Sequence, residues 1–582
     1  MKNLIEKNKK LIAFIFSALI VSFMKINIAL DGTFIQKLCG NSLDVVIYTI
    51  LLTIAMLKVW EVKDRRLDVI SLIVAIILAI CQILGIAIIN GYSFFLKVLL
   101  VKAIGYVGVF YVIIKLVYSY LSLKVKSEKW NFKKISNKTF FIVTWIIIFI
   151  CYIPYFLRYF PGITTTDSIY QMYQAIGNMK LINSHPIFHT FIISIALHIG
   201  KAISSYNLGV AIYSVWQMLF MSGVFAFCLY YMKKKDVPKS IIILSLVYYA
   251  IHPMFSMYSV TMWKDIPFSI SITLYTISMI ELATNADSFL SSKLKVTFFI
   301  ISALFTMFFK HNGFYIVLLS IPFVLFYVRK HLKKLAVIYV ILVIFYKVIN
   351  GPVLSMLNVS PTLSSEALSI PIQQLSRVVA LADISDDEYN EIREWIVADK
   401  ENIKNEYNPR LSDPMKRYFN NERYKTDKGS FYKVWFKYLK KYPTVYVQSF
   451  LCNTYGYWYP ETQYWMFQRH MGENEIGLYG DSKIDVKLLD NVIEERNIPI
   501  ISMMSSLGFA FWITGIMAFY SIYKKEYKKL IIYIPVMVLW LTSIASSVFC
   551  EFRYMFGFFT TMPLIISAFM IKNNNDNVIE EK

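Results

Sequence analysis

Six short motifs carry the residues whose types and spacing could do chemistry. Asp167 stands in PGITTTDSIYQ, His185 and His189 in SHPIFH, and His252 in AIHPMF. Lys264 and Asp265 stand in TMWKDIPF, Lys310, His311 and Asn312 in FFKHNGFY, and Glu551, Arg553 and Tyr554 in CEFRYMF. Carboxylates beside cations suit transfer from a phosphorylated donor. The cations would hold a lipid phosphate through charge-assisted hydrogen bonds. Asp167 would take the proton of an acceptor hydroxyl as it attacks an anomeric carbon. No Gly-rich nucleotide cradle is visible, so a lipid-linked donor fits better than a nucleotide-sugar.

Each motif also has a plainer use. Asp167 precedes a helix pattern, SIYQMYQAIG, and could serve as its N-cap. Lys264 and Asp265 could form an interfacial ion pair. His185 and His189, spaced i and i+4, could share a metal, but no third ligand is evident. No metal site is assigned, and a divalent cofactor stays open. Arg553 beside Glu551 could be a snorkelled interfacial charge, as could Lys97, Lys102, Lys115 and Lys347 inside apolar runs. Asp31 and Asp44 read as solvated loop residues. Trp458/Tyr459 and Tyr464/Trp465 could stack on sugar rings or belong to an interfacial aromatic belt.

The elements that must position these motifs are membrane helices. The chain has 582 residues, 57% hydrophobic and only 17% charged, against about 25% in soluble domains. Apolar runs long enough to cross about 30 Å of hydrocarbon recur along most of it. They lie near 11–30, 43–60, 69–89, 94–122, 139–158, 208–232, 240–257, 266–283, 296–309, 314–328, 335–349, 498–521, 530–548 and 554–571. This predicts an all-α polytopic membrane protein with about fourteen transmembrane helices. The net charge of +22 is not a nucleic-acid footprint: residues 350–499 hold 18 Lys+Arg and 21 Asp+Glu, so the whole excess lies in the membrane half. Its clusters (Lys7 to Lys10, Lys63 to Arg66, Lys124 to Lys138, Lys233 to Lys235, Arg329 to Lys334, Lys524 to Lys529) follow the positive-inside pattern. They all fall on the cytoplasmic side only if 186–203 is an interfacial helix and not a span. Both termini are then cytoplasmic, the N-terminal run is an uncleaved first span, and all six polar motifs share the extracytoplasmic face.

The predicted organisation is 1–138, accessory helices; 139–349, a core with an outer catalytic loop at 159–207; 350–497, a mainly helical extracytoplasmic segment; 498–571, closing helices; and 572–582, a polar tail. Helical patterning is seen near Asp386–Ile403 and Tyr432–Tyr442. The six cysteines, Cys39 among them, show no paired or zinc spacing.

PGITTTDS followed by a surface helix opening with HP resembles the first extracytoplasmic loop of GT-C-fold glycosyltransferases, membrane enzymes that use polyprenyl-phosphate sugars. With WKDIPF, FKHNGFY, IPIQQLSRVVA, NTYGYWYP and EFRY, the pattern from about Thr139 to Ile571 is similar to an uncharacterised bacterial family placed with those enzymes. The resemblance implies a GT-C-like core and Asp167 as catalytic base. It makes Lys264, Lys310, His311 and Arg553 phosphate-binding candidates, and it implies a cell-envelope glycan, lipid or protein as acceptor. Many members carry an adjacent acidic pair, whereas Ser168 follows Asp167 here, so Asp265 is the candidate second carboxylate.

Three other classes compete. A transporter or flippase would carry ionisable groups near the bilayer midplane and inverted repeats, neither of which is seen. A non-catalytic envelope scaffold would bind glycan without Asp167. An O-antigen ligase or polymerase would also work at an outward basic mouth.

Overall fold

A computed structural model describes residues 8–26, 43–91, 97–122, 135–462, 467–485 and 502–572. Lys7, Asp31, Cys39, Tyr464, Trp465, the basic cluster as far as residue 134 and the tail beyond Lys572 lie outside the described residues. Among the described residues every regular element is helical, and pairing of extended backbone is confined to isolated bridges.

The helices of the first part are α1 Lys9–Lys25, α2 Leu43–Trp60, α3 Arg65–Asn90 and α4 Lys97–Ser122. Next come α5 Asn137–Arg158, α6 Thr166–Ala175, α7 Ile187–Ile203, α8 Tyr206–Lys234, α9 Lys239–Ile251 and α10 Pro253–Ser259. They are followed by α11 Asp265–Ser291, α12 Lys293–Phe309, α13 His311–Tyr327 and α14 Leu332–Val348. The polar segment holds α15 Ser369–Leu381, α16 Asp386–Arg393, α17 Lys400–Glu406, α18 Lys428–Lys441 and α19 Pro443–Thr454. The chain closes with α20 Leu507–Tyr523, α21 Leu530–Ala545 and α22 Phe556–Ser567.

A helix stands at each of the fourteen predicted positions, and the protein is a polytopic helical membrane protein. Among the described residues, nine helices are long and apolar enough to cross a membrane, or ten if α9 and α10, bent by 50° at His252, count as one span. The shortfall is one of length. Helices α1, α12, α13 and α20 have 17 residues each, about 25 Å at 1.5 Å per residue, against about 30 Å of hydrocarbon.

The chain forms two compact units. One comprises Met1–Lys126, Trp458–Thr462 and Trp512–Tyr527, and the other Ser127–Tyr457, Gln463–Phe511 and Lys528–Lys582. In the first, two sequence expectations change. Lys115 is buried and pairs with Asp68 at 2.5 Å, so it does not snorkel. Asp44 is not a loop residue: it lies in the first turn of α2 and meets Lys25 at 2.5 Å. An acid is favourable in a first turn because the unpaired N–H groups there carry partial positive charge.

In the second unit α11 is the axis, buried along almost all of its apolar length. It therefore needs internal partners for its polar groups: Thr273 donates to Thr560 of α22 at 2.8 Å, and Tyr275 and Tyr339 share a hydrogen bond at 3.1 Å. The polar segment buries its own core, with Leu375, Val378, Trp395, Phe431 and Tyr438 packed together. Each such side chain contributes roughly 1.5–3 kcal/mol on burial. The helix expected over Asp386–Ile403 is two helices, α16 and α17, because residues 394–399 pair with the Phe419 region through Ile396 and Val397. This segment also stitches itself to the stretch before Glu551. The Ser412 N–H donates to the Val548 carbonyl at 2.8 Å, Tyr457 Oη to the Phe549 carbonyl at 2.8 Å, and Ser547 Oγ to the Asn453 carbonyl at 2.9 Å.

Candidate functional site

Asp167 is not the cap of its helix. It sits in the first turn of α6, and the Ser168 hydroxyl accepts the Thr165 N–H at 3.2 Å. Trp263 fixes the same turn from another loop, its indole N–H donating to Thr165 Oγ1 at 2.7 Å. Gly162 makes this entry possible: its φ of +149° is a conformation side-chain-bearing residues avoid, and a Cβ there would overlap Ser214 Oγ.

With the cap role taken by its neighbours, the Asp167 carboxylate meets cations. Arg553 Nη1 donates to its Oδ2 at 2.8 Å, and Lys264 Nζ lies 3.5 Å from the same oxygen. Arg553 Nη1 is also 4.0 Å from Asp265 Oδ2, and its Nε donates to Glu551 Oε2 at 3.1 Å. Asp265 Oδ1 is paired with Lys310, while its Oδ2 is buried without a hydrogen bond. So Asp265 is a buried ion-pair partner of Lys310 at the start of α11, not of its neighbour Lys264. Lys310 also lies 3.9 Å from the centre of the Tyr554 ring, and Arg553 covers the Trp263 ring at 4.9 Å.

Lys310 is held in place by the turn into α13. A Cβ on Gly313 would overlap the Thr306 carbonyl of α12, so only glycine allows the two helices to meet so closely.

The histidines separate into three groups. Lys264 Nζ donates to His185 Nδ1 at 2.6 Å. An ammonium can only donate, so this imidazole is neutral with its proton on Nε2. His311 Nε2 donates to the Asn183 carbonyl at 2.7 Å, where Thr362 also donates, and so anchors the turn that carries His185. His189 is elsewhere, fully buried between Gln171 at 3.0 Å and Tyr213 at 2.6 Å. His185 precedes α7 and His189 lies on it, so the two do not share a ligand. His252 takes no part either: it caps α10, its Nδ1 accepting the Met254 N–H at 3.3 Å. Asn312 sits beside His311 in the first turn of α13 and makes none of these contacts.

Electrostatics follow from burial and charge. Burial alone would raise the Asp167 carboxyl, but Lys264 and Arg553 outweigh it and hold it well below the ordinary carboxylate range. Burial and then Lys264 push His185 down to about 4. Burial raises Glu551 despite Arg553. Asp167 alone among the three carboxylates keeps substantial exposure, 32% against 0% for Asp265 and 20% for Glu551. Three acids face three cations, so the carboxylates are already engaged by lysine and arginine. Among the described residues no three His, Cys, Asp or Glu gather as metal ligands.

The arrangement thus joins Asp167, Asp265, His185, Lys264, Lys310, His311, Glu551, Arg553 and Tyr554, and leaves out His189, His252 and Asn312. Trp263 and Thr165 went unassigned in the sequence. The available signal was Trp263 standing directly before Lys264, since aromatic faces accompany cations that must be desolvated.

No curated protein and no solved structure matches the chain. A family described as being of unknown function (DUF6020) matches residues 175–582, a range that holds every member of the cluster except Asp167. The chain belongs to this family of unknown function, DUF6020.

Proposed function

We propose that this protein is a membrane glycosyltransferase of GT-C type, moving a sugar from a polyprenyl-phosphate donor to a cell-envelope acceptor. In this proposal about fourteen helices span the membrane, both termini are cytoplasmic and the cluster faces the extracytoplasmic side. One observation carries it: a partly exposed carboxylate, Asp167, meets Lys264 and shares Arg553 with a buried acid, Asp265, at the helix ends, where separate loops converge.

The acceptor hydroxyl oxygen bonds to the anomeric carbon while the bond from that carbon to the phosphate oxygen breaks. The electron pair leaves with the phosphate, and the hydroxyl proton goes to Asp167. One negative charge thereby passes from the carboxylate to the phosphate. Arg553 and Lys264 stand where they can follow it, and stabilising charge as it develops is the larger part of such catalysis. Without donor, the two cations make Asp167 a weak base. A phosphate that draws them off raises its basicity when an acceptor is to be deprotonated.

The test is transfer by purified protein in nanodiscs. It uses a panel of polyprenyl-phosphate sugars, with and without EDTA, comparing wild type with Asp167→Asn. Turnover that vanishes in the variant is expected. Transbilayer movement of labelled lipid regardless of Asp167 would favour a transporter instead.

A further inference from the structure

A cavity of about 660 Å³ lies beside the catalytic turn, outside the cation cluster. Its floor is the end of α5 and the run from Arg158 to Ile163, which leads directly to Asp167. Its roof is the stretch from Arg469 to Ser482. Backbone hydrogen bonds strap roof to floor: the Gly472 N–H donates to the Thr164 carbonyl at 2.9 Å, Asp481 to Phe160 at 2.8 Å and Lys483 to Leu157 at 2.8 Å. At its far end Asn207 holds Tyr479 from both sides, donating to its carbonyl at 2.9 Å and accepting its N–H at 3.2 Å. A Cβ on Gly472 would stand 3.4 Å from both Thr165 and Ile169, so the roof touches the first turn of α6.

We infer that this cavity is the acceptor subsite and that it takes a polyhydroxylic glycan; the inference rests on the glycosyltransferase proposal. The volume falls within the range of about 300–1,000 Å³ typical of ligand clefts. The lining mixes forked donors, Arg158 and Arg469, with carboxylates, Glu473 and Asp481, and aromatic faces, Tyr159 and Tyr479. A sugar offers the matching set, with hydroxyls that both donate and accept around a ring whose C–H faces are apolar. So polar and charged a lining suits a hydroxylated ring better than a lipid tail, and a strongly anionic ligand would meet two carboxylates. None of Lys264, Lys310 or Arg553 lines the cavity, which separates it from the donor phosphate. Ile163 on its floor stands four residues before Asp167, the base that donor and acceptor would share.

Gly480 lines the cavity and a Cβ there meets open space, so Gly480→Trp is the variant chosen to fill it. Protein in nanodiscs would be given labelled polyprenyl-phosphate sugar and the glycan fraction from the envelope of the cells that make it. Gly480→Trp and Arg469→Ala should each lower transfer at least tenfold, through the acceptor KM, with donor affinity within twofold of wild type. In a second arm, the same glycan should shield Ser482→Cys from a maleimide in otherwise cysteine-free protein. Transfer that is insensitive to both variants, or a parallel loss of donor affinity, would overturn the acceptor role. Absence of shielding would overturn it too. Shielding without any transfer by wild type would uphold the glycan site and overturn the enzyme reading.

Discussion

Arg553 faces two carboxylates through one nitrogen, 2.8 Å from Asp167 Oδ2 and 4.0 Å from Asp265 Oδ2. The nearer acid is partly exposed and the farther one is sealed. Arg553→Lys keeps the charge but loses the planar fork, so transfer should fall about 10²–10³-fold with the fold intact. Kinetics on reconstituted protein would show it.

Arg553→Ala does something different, because it leaves Asp265 with one cation instead of two. Removing one partner of a buried charge costs about 3–5 kcal/mol. Thermal unfolding in detergent should therefore show a marked loss, and adding Asp265→Asn should cost less than it does alone. Full additivity of the two changes would contradict the contact.

Asp167→Asn should lower kcat by about 10²–10⁴-fold, the usual span of a general base. Donor phosphate should bind at least as tightly as in wild type, since the competing carboxylate is gone. Weakened donor binding would show that Asp167 supports the phosphate site and does not compete with it.

The pH dependence of stability has a definite sign. His185 is pushed down to about 4 in the folded protein, so between about 6.5 and 4 the unfolded chain binds a proton that the native one refuses. Stability falls as pH drops through that window, and His185→Gln should flatten the fall. Asp167 acts lower: its depressed value adds stability that is present above about 3.9 and lost as pH falls further. Melting curves carried from pH 7 to about 2 separate the two.

Gly313→Ala drives a Cβ into the Thr306 carbonyl, so α12 and α13 must part. Overpacking of this kind costs about 1–3 kcal/mol, and Lys310 moves with the turn. Both stability and transfer should drop, whereas Gly351→Ala, which meets open space, should change neither.

The helices were legible because hydrocarbon demands long apolar runs, and those runs survive any tertiary arrangement. Their number as spans was not, since 17-residue helices such as α12 and α13 fall between a crossing element and a packed one. Topology from lysine clusters placed six loops on one face, and the cluster drew from five of them. Pairing was illegible. Lys264 adjoins Asp265 in sequence, but α11 turns Asp265 inward to Lys310 while Lys264 reaches outward to Asp167. His185 and His189 looked like a helical pair until Pro186 opened α7 after the first of them. Lys115 looked like a snorkelling lysine because nothing in its own helix announces Asp68.

The stitches from Ser412, Asn453 and Tyr457 to residues 547–549 bear on biosynthesis. Asp167 is synthesised before this segment and Arg553 after it, so the guanidinium that meets its carboxylate follows a stretch docked on chain made between the two. A ribosome that stalls before α22 therefore releases a chain with a carboxylate and no Arg553. On the glycosyltransferase proposal, such a partial product would hold the base without its cation and would be inert.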